Sequence, residues 1–180
     1  MKNFVAAIAA VASLLGSLAQ AEIPPQARVL NKGGYCAWAS LDTMARANGI
    51  RSLVGIFEDR RKSGHVNDPG YDSLIIAELK ARGVRYELRP FASYDRKLLE
   101  NYADQGVMVS LLRGNPWSIG CHAIVVTRYD GQLVEFYDSS KPTQGGQPKT
   151  WTCGRDWFDR WWTGASVAVF GESGELVATQ

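Results

Sequence analysis

One helix-forming segment, residues 33–49, has the sequence GGYCAWASLDTMARANG. Apolar residues recur within it at helical spacing, namely Ala37, Leu41, Met44 and Ala45. Two glycines stand before the periodic part and Gly49 stands just after it, as is typical of the residues that border a helix. The segment therefore predicts a helix from Cys36 to Asn48.

Cys36 stands in the first turn of this predicted helix. Unpaired backbone N–H groups and the positive end of the helix dipole favour a thiolate there, which lowers the pKa of a cysteine so placed. Gly33 and Gly34 leave room for a substrate carbonyl to approach the sulfur, so Gly34 is a predicted substrate-binding residue. Two interpretations remain open at this point, an acyl-transfer nucleophile and a buried structural thiol.

A thiol nucleophile needs a base, and the sequence has two histidines, His65 and His122. His65 lies in the turn-rich segment SGHVNDP, where an exposed histidine needs no special role. His122 opens the apolar strand AIVV after a loop that contains Trp117 and Gly120, so it can be held rigidly and still reach a cleft. His122 is therefore the predicted base, and a merely structural strand-end histidine is the alternative. Trp117 and Gly120 are predicted to line a substrate subsite.

An orienting partner for His122 is predicted on the next strand of the same hairpin. That strand follows Asp130-Gly131 and ends at Asp138, close to where the His122 strand begins. A regular two-residue loop would pair His122 with Ser139 and turn Asp138 to the opposite face. We therefore predict an irregular turn over residues 129–131 that pairs His122 with Asp138. A plain strand-end turn residue is the alternative for Asp138.

The remaining pattern predicts an α+β fold in which helices come first and a mostly antiparallel sheet closes the chain. Further helices are predicted over residues 52–61, 71–82, 94–105 and 155–162. Strands are predicted over residues 84–88, 107–112, 122–128, 133–138 and 165–170, with a polar loop over 139–149.

The composition is that of an ordinary globular protein preceded by an export signal. The 180 residues are 46% hydrophobic and 21% charged with a net charge of +2, and the basic residues are scattered, which gives no sign of a nucleic-acid partner. Lys2, an apolar run from Phe4 to Leu18 and the small-residue site Ala19-Gln20-Ala21 predict a cleaved signal peptide. The run is shorter than the about 20 apolar residues of a membrane span. We expect a periplasmic or secreted protein with no membrane span after cleavage.

Four segments follow from this organisation. They are a signal peptide over residues 1–21, an extended lead-in over 22–30, one domain over 31–172 and a C-terminal tail over 173–180. The two consecutive prolines in the lead-in exclude a helix interior or a central strand there.

The order Cys36, His122, Asp138 resembles that of the papain-like cysteine peptidases, and within them the double-glycine (bacteriocin-leader) peptidase domain and its free-standing relatives. The matching motifs are GYCAWASLDTMARANG (34–49), YDSLIIAELKARGV (71–84), GVMVS (106–110), HAIVV (122–126), FYDS (136–139) and WFDRWWTG (157–164). The resemblance implies a papain-like fold, a Cys-His-Asp triad and no cofactor.

Two positions depart from that family's pattern. The family has an oxyanion glutamine a few residues before the cysteine, whereas here the nearest amide is Asn31, five residues ahead, with Gln26 ten ahead. Asn31 is therefore the predicted oxyanion donor, because its side-chain amide can donate a hydrogen bond. Ala37 stands where glycine is common among these relatives.

Three cysteines are an odd number for an exported protein. With Cys36 as the free thiol, Cys121 and Cys153 are predicted to form a disulfide. No Cys-x-x-Cys or His-x-x-x-His spacing supports a metal site, so no metal is expected.

The leading hypothesis is an exported cysteine peptidase or amidase acting on a peptide or protein substrate. Its oligomeric state does not follow from the sequence.

Two alternatives to the peptidase hypothesis remain. One is a transglutaminase-like acyl transferase, because Cys36-x-x-Ala-Ser-Leu with a later Ala-Asn-Gly-Ile-Arg and His122-Ala looks similar to that superfamily. The other is a binding or effector module that keeps the fold without catalysis.

Overall fold

The structure is a computed structural model, and it describes residues 22–31, 33–64, 71–112, 121–142 and 148–172. Its helices are α1 (Cys36–Ala47), α2 (Ile56–Ser63), α3 (Tyr71–Ala81), α4 (Lys97–Tyr102) and α5 (Arg155–Trp161). Its strands are β1 (Val84–Arg89), β2 (Val107–Leu112), β3 (Cys121–Tyr129), β4 (Leu133–Pro142), β5 (Pro148–Gly154) and β6 (Trp162–Glu172). Short 3-10 turns cover Pro25–Ala27, Arg51–Leu53 and Ala103–Gln105.

The strands form one antiparallel sheet in the order β1-β6-β2-β3-β4-β5. Three helices precede the sheet's first strand, so the predicted α+β class with leading helices is confirmed. The central neighbours of the sheet are β2 and β3, and β3 carries His122 at its beginning.

Both faces of the sheet are covered by helices, because each face carries apolar side chains that must leave water. On one face, buried residues of α1, α2 and α3 pack against the sheet, including Leu41, Met44, Ile56, Ile75 and Leu79. On the other face, α4 and α5 contribute Leu98, Leu99 and Phe158. The sheet is thus a rigid support, and α1 lies on the same side as Ala123 and Val125 of β3.

Helix α1 is fixed at both ends. Past its C-terminus, Gly49 adopts φ +67° and the N–H of Ile50 donates to the carbonyl of Ala45 at 2.9 Å, a left-handed helix ending. The side chain of Asn48 donates to the carbonyl of Gln105 at 2.7 Å, just ahead of β2. At the opposite end, Cys36 reaches the beginning of β3. The N-terminus of α1 therefore lies at the end of the sheet where β3 begins.

The lead-in is anchored to the domain, and part of it is turned. Pro25–Ala27 form a 3-10 turn, which the fixed φ of proline at a first turn position allows, so the segment is not extended throughout. The backbone of Val29 donates to the hydroxyl of Thr43 in α1 at 3.1 Å and accepts a hydrogen bond from the Tyr137 hydroxyl at 2.6 Å. These bonds hold the chain that leads to Asn31 between α1 and β4.

The predicted polar loop over residues 139–149 is wrong in two places. Strand β4 continues to Pro142, and β5 begins at Pro148 and pairs with β4. Among the strands in the described ranges, β5 is the last of the sheet and pairs with β4 alone. An edge strand of this kind lacks the apolar run that marks a central strand, which is why the pattern did not indicate it.

Two predicted helices are shorter in the structure. Gly55 has φ +89° and separates the turn at Arg51–Leu53 from α2, so the predicted helix over residues 52–61 is interrupted. The helix predicted over 94–105 begins at Lys97, because Tyr94 adopts φ +50° and cannot belong to a right-handed helix. Its last turn is a 3-10 turn, Ala103–Gln105.

We predict that Gly164→Ala destabilises the fold strongly. Gly164 has φ +85°, and a Cβ there would lie 2.7 Å from the backbone nitrogen of Tyr94 and 2.8 Å from that of Ser93. Backbone atoms cannot move aside cheaply, and the left-handed φ adds strain, so a loss of about 2–4 kcal/mol in the free energy of unfolding is expected. Denaturant unfolding measures it. Gly171→Ala, on the same strand with open space around it, is the matched control, and equal stability of the two variants would contradict the prediction.

None of the helices in the described ranges combines the length and the apolar character that a membrane crossing requires.

Candidate active site

Cys36 is the first residue of α1, and its sulfur lies against the beginning of β3. The backbone N–H of Ala123 donates to Cys36 Sγ at 3.3 Å, and the cysteine is only 9% exposed. The N-cap residue of α1, Tyr35, makes no side-chain capping hydrogen bond. Backbone N–H groups and the helix dipole therefore act on the sulfur from two elements at once, and both favour its anionic form.

The chain enters α1 through two glycines in left-handed conformations. Gly33 has φ +98° and Gly34 has φ +79°, conformations that few other residues adopt. Ahead of them, the backbone N–H of Asn31 donates to the carbonyl of Ser139 at 2.9 Å, and its side-chain oxygen accepts the N–H of Tyr35 at 3.3 Å. The side chain of Asn31 is thus bonded to the residue that directly precedes Cys36, and Gly34 is exposed.

His122 and Asp138 meet across the β3–β4 hairpin. His122 Nε2 lies 2.8 Å from Asp138 Oδ1, and the two side chains are 14% and 2% exposed. The other ring nitrogen, Nδ1, is buried and has no well-aligned hydrogen-bond partner among the residues that the structure describes. The imidazole therefore has one nitrogen committed to the carboxylate and one available toward the neighbouring sulfur.

A bulge in β3 brings these two side chains onto one face. Arg128 pairs with Glu135 but Val126 pairs with Phe136, so Thr127 is an extra residue on β3. When the pairing of Val126 with Phe136 is continued toward the beginning of β3, His122 lies opposite Ser140. Asp138, two residues before Ser140, is then the diagonal neighbour of His122 on the same face of the sheet.

The predicted irregularity therefore exists, but its position was wrong. The backbone N–H of Asp130 donates to the carbonyl of Leu133, which leaves a two-residue loop in place of the irregular turn expected over residues 129–131. Asp138 is also not the direct partner of His122. The bulge could not be located from the sequence, because Thr127 is an ordinary strand residue that does not mark one.

Ser140 is a polar neighbour of this pair that the sequence reasoning missed. Its hydroxyl donates to Asp138 Oδ1 at 2.7 Å and lies 3.4 Å from His122 Nε2. Its backbone N–H also donates to Asp138 Oδ1, at 2.9 Å. The pattern Asp-x-Ser at a predicted strand end could have indicated this contact from the sequence, because an aspartate side chain often accepts a hydrogen bond from the residue two positions later.

The electrostatics of the three groups favour an ion pair between sulfur and imidazole. Burial alone would raise the pKa of Cys36, but its interaction with His122 and the N–H groups of Ala123 and Ala37 lowers it overall. Burial alone would lower the pKa of His122, but Asp138 and then Cys36 raise it to about 9. The pKa of Asp138 is lowered by His122 and Ser140 against the opposing effect of burial. These opposite shifts favour a thiolate on Cys36 next to an imidazolium on His122.

We predict that His122 keeps its proton through neutral pH. Its raised pKa means that the imidazolium is lost only as the pH rises through about 9, well above the ordinary histidine value of 6.5. An NMR titration of the imidazole signals measures this, and the presence of only two histidines makes the spectrum simple to assign with a His122→Gln variant. A midpoint for His122 near the ordinary value would contradict the prediction.

The predicted disulfide between Cys121 and Cys153 is wrong. Both are free thiols, and the register of the sheet keeps them apart. Cys153 pairs with Val134, which pairs with Tyr129 at the far end of β3 from Cys121. Eight residues of strand separate those two ends, roughly 26 Å. A disulfide needs Cα atoms within about 7 Å of each other. The prediction paired the two cysteines that remain besides Cys36, and the topology of the sheet holds these two apart.

Some predicted site residues lie outside the described ranges. They are Trp117 and Gly120. His65, which is not the predicted base, lies outside as well, as do the segments 1–21 and 173–180. The subsite roles of Trp117 and Gly120 stay predictions. Within the described ranges, no group of three or more histidine, cysteine, aspartate or glutamate side chains is arranged to hold a metal ion.

The fold is that of the papain-like cysteine peptidases, with a helix that begins at a cysteine packed on an antiparallel sheet. Two of the solved structures that share this fold are peptidases. One is a double-glycine-motif protease from an AMS/PCAT transporter in complex with the leader peptide, with 14% identity, a TM-score of 0.53, and coverage of 85% of this chain and 94% of that one. The other is the peptidase domain of Streptococcus ComA, a bi-functional ABC transporter involved in a quorum-sensing pathway, with 18% identity, a TM-score of 0.55, and coverage of 80% and 97%. No protein-family model and no curated protein sequence matches the chain.

Proposed function

We propose that this chain is an exported cysteine peptidase or amidase that hydrolyses a peptide or isopeptide bond through Cys36, His122 and Asp138. The observation that carries the proposal is the 2.8 Å contact between His122 Nε2 and Asp138 Oδ1 beside a buried sulfur at a helix N-terminus. A nucleophile, a base and an orienting carboxylate in that order are what acyl transfer through a thiol requires.

In the first half-reaction, the Cys36 thiolate attacks the carbonyl carbon of the scissile amide. The Cys36 backbone N–H and the Asn31 side-chain amide stabilise the negative charge that develops on the carbonyl oxygen. His122 then donates its proton to the leaving nitrogen, and the C–N bond breaks. The products of this step are a free amine and a thioester on Cys36.

In the second half-reaction, water hydrolyses the thioester. His122, now neutral, accepts a proton from the water as its oxygen attacks the thioester carbonyl. The C–S bond breaks, the acid product leaves, and the thiolate and imidazolium are restored. Asp138 keeps Nε2 bonded throughout, so that Nδ1 stays directed toward the sulfur.

A peptide is the substrate class that the structural comparison favours. The AMS/PCAT protease was solved in complex with a leader peptide, and the present chain shares its fold over most of its length. Peptides that contain Gly-Gly sites are therefore the first members of a substrate panel, followed by peptides of mixed sequence.

The test is incubation of the purified full chain with this panel, followed by mass spectrometry of the products. We expect cleavage at defined bonds, inactivation by an epoxide-type thiol trap, and the label on Cys36. Cleavage that persists after Cys36 is fully labelled would assign the activity to another group. Transfer of an added amine to a glutamine side chain in place of hydrolysis would favour the transglutaminase-like alternative.

Export is proposed from the first 21 residues alone. Cleavage after Ala21 would leave Glu22 as the first residue of the mature protein. Mass spectrometry of the N-terminal peptide, on protein recovered from the host's periplasm or medium, measures this. Intact Met1 on protein found only in the cytoplasm would contradict the proposal.

A further inference from the structure

Ser140 lies on the solvent side of the bond between His122 and Asp138. The serine is exposed, whereas the Asp138 side chain beneath it is 2% exposed. Its hydroxyl oxygen is 2.7 Å from Asp138 Oδ1 and 3.4 Å from His122 Nε2, so it touches both partners of the bond. No residue named in the proposed mechanism has this position.

The chemistry of the hydroxyl suits both contacts. A serine hydroxyl has one donor and two acceptor positions. Its donor is directed to Asp138 Oδ1, which leaves a lone pair on the side of the imidazolium N–H. Oδ1 thus accepts hydrogen bonds from the Ser140 hydroxyl, the Ser140 N–H and His122. Hydrogen-bond donors on two sides of Asp138 Oδ1 fix the plane of the carboxylate. They thereby also fix the direction of its hydrogen bond to His122 Nε2.

We propose that the Ser140 hydroxyl is a positioning group that locks the Asp138 carboxylate and covers its bond to His122 from water. This inference rests on the proposed function, because it assigns a role within the same site. Ser140 does not touch the reacting atoms; it acts through Asp138 and His122. Without the hydroxyl, the carboxylate can rotate and water can compete for Nε2, which weakens the pairing of His122 with Cys36.

The test compares Ser140→Ala with Ser140→Thr. The alanine variant loses the side-chain donor but keeps the backbone N–H, and the threonine variant keeps the hydroxyl and suits a strand. For Ser140→Ala we expect kcat to fall about 10-fold with KM nearly unchanged, because the hydroxyl bonds a charged group and contacts no substrate. For Ser140→Thr we expect most of the rate to return.

A second readout does not depend on peptide hydrolysis. The rate at which iodoacetamide alkylates Cys36 rises with pH as the thiolate forms. In Ser140→Ala the midpoint of that rise is expected to move upward by roughly half a pH unit, since a less firmly held imidazolium stabilises the thiolate less. Ser139→Ala is the matched control, because the Ser139 hydroxyl is buried and bonds none of the residues that the structure describes.

The outcomes separate the two proposals. A lower kcat, a shifted alkylation midpoint and recovery with threonine support the role of Ser140. If kcat and the alkylation midpoint are both unchanged in Ser140→Ala, the role of Ser140 is overturned. It is also overturned if Ser140→Ala lowers kcat without shifting the alkylation midpoint and Ser140→Thr does not restore the rate. If the wild type cleaves no peptide, the proposed function fails, and the alkylation midpoints of the two variants still decide the role of Ser140.

Discussion

Replacing Cys36 with alanine is expected to reduce peptide hydrolysis about 1,000-fold or more, to the background of the assay. The sulfur is the only group in the proposed mechanism that bonds covalently to the substrate. Steady-state cleavage of the best peptide from the panel measures the loss. The fold is expected to persist, because the alanine removes one sulfur at a helix terminus.

Cys153→Ala is the matched control for this variant. Cys153 is a partly buried thiol on β5, and burial raises its pKa, so it is a poor nucleophile at neutral pH. Its replacement should leave the cleavage rate close to that of the wild type. Substantial activity in Cys36→Ala, or an equal loss in Cys153→Ala, would contradict the assignment of Cys36 as nucleophile.

Asp138→Asn is expected to lower kcat about 100-fold or more while leaving the fold intact. The asparagine has nearly the same shape but no charge, so it no longer stabilises the His122 imidazolium through the 2.8 Å contact. The pKa of His122 should fall from about 9 toward 6.5, and the thiolate should lose its partner at neutral pH. Cleavage rates and the imidazole titration measure the two effects on the same protein.

Asp130→Asn makes the same chemical change on the same hairpin. Asp130 Oδ1 accepts the N–H groups of Gln132 and Leu133 in the turn, at the end remote from His122, and an asparagine oxygen can do the same. This variant should retain wild-type kinetics. Equal kinetics for Asp138→Asn and Asp130→Asn would show that the buried carboxylate has no part in catalysis.

Cys36, His122 and Asp138 could be named as candidates from the sequence because few residues could fill each role. A cysteine behind two glycines at a helix start stands out, and one of only two histidines opens an apolar strand. Asp138 then follows from the return strand of the same hairpin. The local sequence pattern is sufficient to select these three residues. Each selection depends on the helix or strand that carries the residue, and not on pairing between strands that are distant in the sequence.

What the sequence did not reveal depends on register and on the edge of the sheet. The bulge at Thr127 decides that His122 and Asp138 share a face, yet no residue near it marks an extra position. The distance between Cys121 and Cys153 depends on two strand pairings, so counting cysteines could not provide it. Ser140 was assigned to a loop, and its role became visible only when β4 was seen to continue past Asp138.

Ultraviolet absorbance of the thiolate, recorded as a function of pH for the wild type and for Cys36→Ala, tests the central claim most directly. The difference between the two curves reports the ionisation of Cys36 alone. The thiolate–imidazolium pair predicts a midpoint for this difference signal below the ordinary cysteine value of 9.0. It also predicts that the midpoint rises when His122 is replaced by alanine. A midpoint at or above the ordinary value, unmoved by that replacement, would contradict the account.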